Sequence, residues 1–299
     1  MKRLQPPAFA AAQAIEACAS GINDAERATA LRQALPVIEA AEQEYRALGT
    51  VGELHRMTPT SEVTPLLNTA LMSMIYKRHF VRPGSPSRPL YEQIRMAPEF
   101  GICPLCGQRI VATIDHYLPQ SQHPNLTLTP VNLVPACSDC NKNKLARIPS
   151  NAQEQSLHPY FDDLGAERWL VVGVRPSAPP TITFSVRPLP TWSQVLAARV
   201  AHHFSMMRLA ELYAAQAASE MADISYALIE VGDAIGADGV RAHLRRELRS
   251  RSHRDGNSWQ TALYEALAES DWFCAEGYRQ IRVAPLQLPT TTTFDACSV

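Results

Sequence analysis

The chain has 299 residues, of which 46% are hydrophobic and 19% charged, and this composition excludes a largely disordered protein. No apolar run reaches the roughly 18 residues of a membrane span, and no apolar stretch follows the basic N-terminus, so we expect a cytoplasmic protein without a membrane anchor. The chain has 28 Lys and Arg against 29 Asp and Glu. A net charge of −1 argues at first against a nucleic-acid partner, because phosphate binding normally appears as a basic balance.

Residues 1–95 are predicted to form an N-terminal helical region. Apolar residues recur at helical spacing in its first half, and Pro36 is expected to kink or split the helix there. Thr64-Pro65 has the residue types that open a helix, and the Met-rich stripe behind it is assigned to the core. The prolines and glycine at 81–89 cannot continue a helix and predict a linker.

Four of the seven cysteines form two C-x-x-C pairs, Cys103 with Cys106 and Cys137 with Cys140. Disulfides do not persist in a reducing compartment, so paired thiols there are more typical of a metal site than of a covalent staple. Four thiolates satisfy tetrahedral zinc with no open position, which is the pattern of a structural site. The alternative is a set of redox-active or coincidental thiols, and the matched spacing of the two pairs favours zinc.

The 30 residues between the two pairs exceed the spacing of about 15–20 that is usual for a zinc ribbon, so a further segment is inserted there. The insert carries the dipeptide Asp115-His116 at the end of a β-type run. The residues after Cys137 can begin a helix. The segment therefore predicts a strand, a loop, a strand and a helix around one zinc ion.

These residues resemble the HNH endonuclease superfamily. Its ββα-metal fold places a histidine on the first strand, an asparagine in the loop, and a histidine or asparagine on the helix, and the matching residues here are His116, Asn132 and Asn141. The Asp-His dipeptide followed by Pro119 and the N-L-V-P-x-C-x-x-C-N run carry the resemblance, which covers residues 99–165. It implies an α+β, mostly helical protein with a zinc-stabilised ββα-metal HNH nuclease module between helical N- and C-terminal regions.

The chemistry that the resemblance implies is metal-dependent hydrolysis of a DNA phosphodiester bond. His116 is expected to be the general base, because its ordinary pKa leaves it able to accept a proton at neutral pH. Asp115 and Asn141 offer oxygen ligands to Mg²⁺ or another divalent cation, which neutralises charge on the phosphate and the departing 3′ oxygen. Asn132 is expected to hydrogen-bond the loop backbone so that His116 stays aimed. Zinc takes no part in the chemistry and holds strand and helix in register.

Two further histidines lie near the motif. His123 is in a polar loop, where we expect it to be solvated or close to a phosphate. His158 either packs as a structural residue or approaches the metal with Asp162 or Asp163, and the structural alternative is favoured.

Two basic segments could bind nucleic acid despite the near-neutral net charge of the whole chain. Residues 77–95 contain five basic residues and one acid, and residues 241–254 contain six arginines and one glutamate. Such clusters could bind phosphates while acids elsewhere cancel them in the total, although a solvated helix face is the alternative for the second run. The candidate nucleic-acid contacts are Lys142, Lys144, Arg147, Arg245, Arg246 and Arg249.

The strings IDHYLPQS, NLVPACSDCNK and HPYFDD are similar to HNH proteins of bacterial anti-phage systems, notably the Septu-type nuclease subunits that work beside an ATPase. This resemblance implies that the helical regions dock an ATPase partner subunit of a defence complex and restrain the nuclease until infection.

The predicted organisation has five regions: a helical region at 1–95, the HNH nuclease module with its zinc at 96–165, a β-hairpin-like connector at 166–190, a helical region at 191–284 and a flexible tail at 285–299. We predict a metal-dependent HNH endonuclease that acts on DNA. The alternatives are a non-catalytic zinc-dependent module that binds nucleic acid or protein, and an RNA-cleaving HNH enzyme.

Overall fold

A computed structural model describes residues 1–281, so the predicted tail at 285–299 lies outside the described residues. The chain forms two compact units. The first comprises Met1–Leu170 and Ser185–Leu212, and the second comprises Val171–Phe184 and the described residues from Tyr213 to Ile281. The limits of the five predicted regions stay a prediction.

The first unit begins with three helices, α1 (Ala11–Ser20), α2 (Ala25–Gln33) and α3 (Leu35–Thr50). Pro36 lies in the first turn of α3, where a proline displaces no helical hydrogen bond, so the predicted split at this residue is confirmed. The helices share one hydrophobic core through fully buried side chains that include Ile15, Leu31 and Ile38.

The predicted helix start at Thr64-Pro65 is wrong. Thr64 ends a short strand, and the next helix begins at Thr69, because the Asn68 side chain caps it by accepting a hydrogen bond from the backbone N–H of Leu71 (2.9 Å). The elements of this segment are the antiparallel pair β1 (Glu62–Thr64) and β2 (Leu67–Asn68), and the helices α4 (Thr69–Ile75) and α5 (Arg88–Met96).

The centre of the chain has the predicted order of strand, loop, strand and helix. β3 (Thr113–His116) pairs antiparallel with β4 (Leu133–Ala136), and α6 (Ser138–Lys144) follows β4. The register pairs His116 with Leu133, so the loop between the strands leaves β3 directly after His116. Mostly helical structure with this small central sheet confirms the predicted fold class.

The central hairpin shares one hydrophobic core with the N-terminal helices. Ile114 of β3 and Leu133 of β4 belong to the same buried cluster as Phe80 and as Ile94 of α5. The hairpin is too small to bury a core by itself, so we infer that the N-terminal helices supply much of its apolar packing.

A buried ion pair joins helix α7 (Gln194–Met206) to the segment that follows the hairpin. Arg199 of α7 donates to both carboxylate oxygens of Asp162 (2.8 and 2.6 Å) and to the backbone oxygens of Gln155 (3.1 Å) and Ser156 (3.2 Å). Both members of the pair are buried. A buried pair with its remaining donors satisfied in this way holds the two segments in one relative position.

Two buried histidines belong to the same packing. His203 of α7 donates from Nε2 to the backbone oxygen of Leu105 (2.9 Å). Leu105 lies in the turn that carries Cys103 and Cys106, called here the first cysteine turn. His158 accepts at Nδ1 from the backbone N–H of Tyr160 (3.1 Å) and bonds the Tyr45 hydroxyl through Nε2 (3.0 Å). Burial lowers the pKa of both imidazoles to about 3.

The second unit contains most of the hairpin strands β5 (Leu170–Arg175) and β6 (Thr181–Val186), which pair with each other, and most of the long helix α8 (Leu209–Arg254). Gly236 interrupts α8 with a φ of +68°, a value that glycine adopts without strain. The helices α9 (Trp259–Glu269) and α10 (Asp271–Ala275) complete this unit. Among the described residues, no helix is long and apolar enough to cross a membrane.

The buried histidines predict an acid-sensitive fold. An unfolded histidine binds its proton near pH 6.5, whereas His158 and His203 stay neutral in the folded protein down to about pH 3. Because the unfolded state therefore takes up more protons, the free energy of unfolding falls below pH 6.5, by about 1.4 kcal/mol per pH unit for each histidine. Urea denaturation at pH 7.5, 6.5 and 5.5 measures this slope. His203→Gln should flatten it, and an equal slope in both proteins would contradict the assignment.

Candidate active site and metal centre

The two C-x-x-C pairs meet in one buried cluster. The ligand atoms of Cys103, Cys106, Cys137 and Cys140 all lie within 4.8 Å of one another. Backbone N–H groups point at two of the sulfurs, from Arg109 to Cys106 (3.5 Å) and from Cys140 to Cys137 (3.4 Å). Four closely spaced sulfurs with N–H groups aimed at them are the donor set of a structural zinc site, so these residues fit the predicted metal.

The cluster also fixes the start of helix α6. Cys137 is the residue before the helix, and Cys140 lies in its first turn. Arg109 from the first cysteine turn forms an ion pair with Asp139 of α6 (2.9 Å). The first turn of α6 is therefore attached to the segment that leads into β3.

Asp115, His116 and Asn141 line one open cleft of about 370 Å³. Asp115 and His116 come from the end of β3, and Asn141 comes from the middle of α6. The ββα arrangement thus brings Asn141 beside the consecutive residues Asp115 and His116, which lie much earlier in the chain. Their catalytic roles stay predictions.

His116 has one of its ring nitrogens engaged. Its Nε2 lies 3.0 Å from the backbone oxygen of Thr127, and the Tyr76 ring packs against the imidazole edge at 4.6 Å between centroids. A carbonyl oxygen only accepts, so Nε2 carries the proton and Nδ1 keeps the lone pair. Burial lowers the pKa of His116 to about 4, against the smaller opposing effect of Thr127. The imidazole is therefore neutral at physiological pH.

Lys144, at the end of α6, is buried beside Asp115. Its Nζ lies 3.1 Å from Oδ2 of Asp115 and donates to the backbone oxygen of His116 (2.7 Å). Burial raises the pKa of the Asp115 carboxyl, and the Lys144 ammonium opposes that shift. This corrects the predicted phosphate-binding role of Lys144: with 5% of its surface exposed, its ammonium group is engaged inside the protein.

Asn132 is fully buried at the end of the loop between β3 and β4. Its Oδ1 accepts from the backbone N–H of Leu118 (2.7 Å), and its Nδ2 donates to the backbone oxygens of Leu118 (3.0 Å) and Leu126 (3.3 Å). The amide therefore ties the two ends of the loop together. This geometry supports the role predicted for Asn132, because the same loop carries the Thr127 oxygen that bonds His116.

The remaining basic candidates are exposed. Lys142 and Arg147 lie at and just beyond the end of α6. Arg245, Arg246 and Arg249 lie on α8 in the second unit. Their nucleic-acid contacts stay predictions.

The prediction for His123 is wrong, because this residue is fully buried and not solvated. The structural alternative holds for His158, whose two ring nitrogens bond Tyr45 and Tyr160. Asp162 accepts from Arg199, and Asp163 pairs with Arg3 (2.5 Å) at the surface.

Comparison with known proteins agrees with this geometry. Residues 103–147 match the family model for HNH endonuclease and, with the ββα fold and the cysteine cluster, form an HNH endonuclease domain. Over nearly its whole length the chain is similar to Protein ea31 of Escherichia phage lambda, with 25% identity over 295 residues, which cover 91% of this chain and 99% of that protein. No solved structure matches. The comparisons support the superfamily and do not show the likeness to Septu-type subunits, which stays a prediction.

Sequence reasoning missed two parts of the site. The Thr127 oxygen that orients His116 is a backbone atom, and no side-chain pattern marks it. The burial of Lys144 beside Asp115 is the second part, although its place one turn after Asn141 and on the same helix face is a signal that it points toward the strands.

Zinc content tests the cysteine cluster. We expect about one zinc ion per chain by mass-spectrometric metal analysis, because four thiolates close a tetrahedral site. Cys137→Ser should lose the zinc and unfold at lower temperature, since the cluster holds the start of α6. Cys18→Ser is the matched control, because Cys18 is buried outside the cluster and should leave the zinc content unchanged. Folded wild-type protein without zinc would contradict the assignment.

Removal of Lys144 tests the buried ion pair. Lys144→Met leaves Asp115 as a buried carboxylate without its counter-ion, which we expect to lower the free energy of unfolding by about 3–5 kcal/mol. Lys142→Met on the exposed face of α6 is the control and should change it by less than about 0.5 kcal/mol. Urea denaturation measures both. Equal stability of the two variants would show that the pair contributes nothing.

Proposed function

We propose that this chain is a metal-dependent endonuclease that hydrolyses DNA phosphodiester bonds in the cleft lined by Asp115, His116 and Asn141. The observation that carries the proposal is the convergence of these three residues, within an HNH domain, on one open cleft. A neutral imidazole, a carboxylate and an amide oxygen at one cleft are the groups that hydrolysis of a phosphodiester needs.

His116 is the proposed general base. Its Nε2 proton is committed to Thr127, so Nδ1 is the nitrogen that accepts a proton from the attacking water. The hydrogen bond fixes the tautomer and the orientation of the ring, and Asn132 holds the loop that carries its acceptor. The lowered pKa keeps the base unprotonated at neutral pH.

Asp115 and Asn141 would hold the divalent cation. When bound, Mg²⁺ supplies positive charge that stabilises the phosphate and the departing 3′ oxygen. Lys144 bonds one carboxylate oxygen of Asp115, and its ammonium group favours the ionised carboxylate against the burial that raises the pKa of this side chain. Both proposed ligands face the cleft that also contains His116, so metal and base would act on the same phosphate.

The alternative of a non-catalytic binding module has less support. Such a module needs the zinc cluster and exposed cations, yet it has no use for a buried Asp115 with its own counter-ion or for an oriented neutral His116. RNA cleavage would use the same residues, so it is an outcome of the test below.

We further propose that Lys142, Arg147 and the arginines Arg245, Arg246 and Arg249 contact DNA phosphates. Exposure of all five side chains supports this, as does the position of the first two within the domain that carries the cleft. The proposed setting is the cytoplasm, in a bacterial anti-phage defence complex with an ATPase partner subunit. This part rests on the resemblance of the motif strings, and similarity to a phage lambda protein neither adds to it nor opposes it.

Cleavage of supercoiled plasmid DNA in the presence of Mg²⁺ tests the function. We expect wild-type protein to relax or linearise the plasmid and His116→Ala to be slower by at least about a hundredfold, the contribution of a general base. Asn141→Ala should also lose activity. Asn143→Ala is the matched control on the same helix, because Asn143 does not line the cleft, and it should cleave like the wild type.

Equal cleavage by wild type and His116→Ala would contradict the role of His116. Cleavage of a structured RNA but not of the plasmid would replace DNA by RNA as substrate. Tight binding of nucleic acid by zinc-loaded wild type with no cleavage of either would favour the binding module.

A further inference from the structure

Leu145 is an exposed apolar residue at the rim of the catalytic cleft. It follows the last residue of α6, lines the same cleft as Asp115, His116 and Asn141, and has 58% of its surface exposed. In the free protein, an exposed apolar side chain of this size contributes little burial of apolar surface. A molecule bound in the cleft would cover this side chain.

The backbone of Leu145 adopts a strained conformation. Its φ of +54° and ψ of −157° lie close to a region that only glycine adopts without strain. A glycine commonly ends a helix at such a position, where it would accept this conformation without cost. Leucine is strained here, and in the free protein no burial of its side chain offsets the strain.

The neighbours of Leu145 indicate the chemistry of what covers it. Lys142 and Arg147 are exposed on either side of it in sequence. Leu145 is thus an apolar side chain between two cations, at the rim of a cleft with a proposed base and metal ligands. This surface is complementary to a polymer that has an anionic backbone and flat apolar faces. Duplex DNA has both, since a leucine can enter between base steps while cations contact the phosphates.

We propose that Leu145 inserts between stacked bases of duplex DNA beside the scissile phosphate and opens that step. The inference rests on the proposed nuclease function. Leu145 would act as a wedge that deforms the duplex so that the phosphate reaches the cleft. Unstacking is a cost only for a duplex, so Leu145 matters for double-stranded substrates and not for single strands.

Leu145→Gly separates this role from a structural one. The substitution relieves the backbone strain, so the thermal midpoint should not fall, while cleavage of a duplex oligonucleotide should slow by about tenfold. Cleavage of the corresponding single strand should stay within about twofold, because no base step has to be opened. Leu145→Met keeps an apolar wedge and should retain duplex cleavage. Leu66→Ala, at an exposed leucine outside the cleft, is the control for loss of apolar surface.

Fluorescence of 2-aminopurine reports the opening of the step without cleavage. In the His116→Ala background, binding should raise the fluorescence of a duplex that carries 2-aminopurine at several positions, and adding Leu145→Gly should abolish the rise. The wedge would be overturned if the wild type is active, Leu145→Gly cleaves the duplex equally fast, and Leu145→Gly does not change the fluorescence in the His116→Ala background. That result would leave the nuclease function intact. A wild type inert toward duplex and single strand would overturn both.

Discussion

Helix α6 is held at both ends by groups that lie outside it, and the site depends on this. A seven-residue helix is too short to be stable alone. Its first turn contains Cys140 of the four-sulfur cluster, and its last residue, Lys144, donates to the backbone oxygen of His116. Asn141 lies between these two attachments. The position of Asn141 in the cleft is therefore set by the four-sulfur cluster on one side and by strand β3 on the other.

Strand β3 contributes the other half of the cleft, and the packing around it keeps the imidazole neutral and aimed. Tyr76, from the helical segment before the domain, contacts the His116 ring, and Ile114 shares the core of the N-terminal helices. On the other side, Arg199 of α7 holds the segment around Asp162. The HNH domain is thus built into the first unit, and its geometry depends on residues well outside 103–147.

The sequence predicted those parts of the site that repeat a spacing. The two C-x-x-C pairs, the strand before His116 and the helix with Asn141 were all predicted, because metal ligation and ββα geometry constrain residue type and distance along the chain. Burial was harder to predict. The sequence predicts a phosphate contact for Lys144 and either solvation or a nearby phosphate for His123. Both residues are buried, because charge and loop position are poor guides where tertiary packing encloses a segment. Thr64-Pro65 likewise has the residue types of a helix start, but the helix begins later because the Asn68 side chain caps it.

We propose that one short helix, α6, joins a structural zinc cluster to a separate catalytic metal site. Anomalous diffraction from crystals grown with zinc and soaked in Mn²⁺, measured at both absorption edges, tests it most directly. We expect zinc at Cys103, Cys106, Cys137 and Cys140, and manganese bound by Asp115 and Asn141 in the cleft with His116. Manganese at another place, or at the four cysteines alone, would contradict the account.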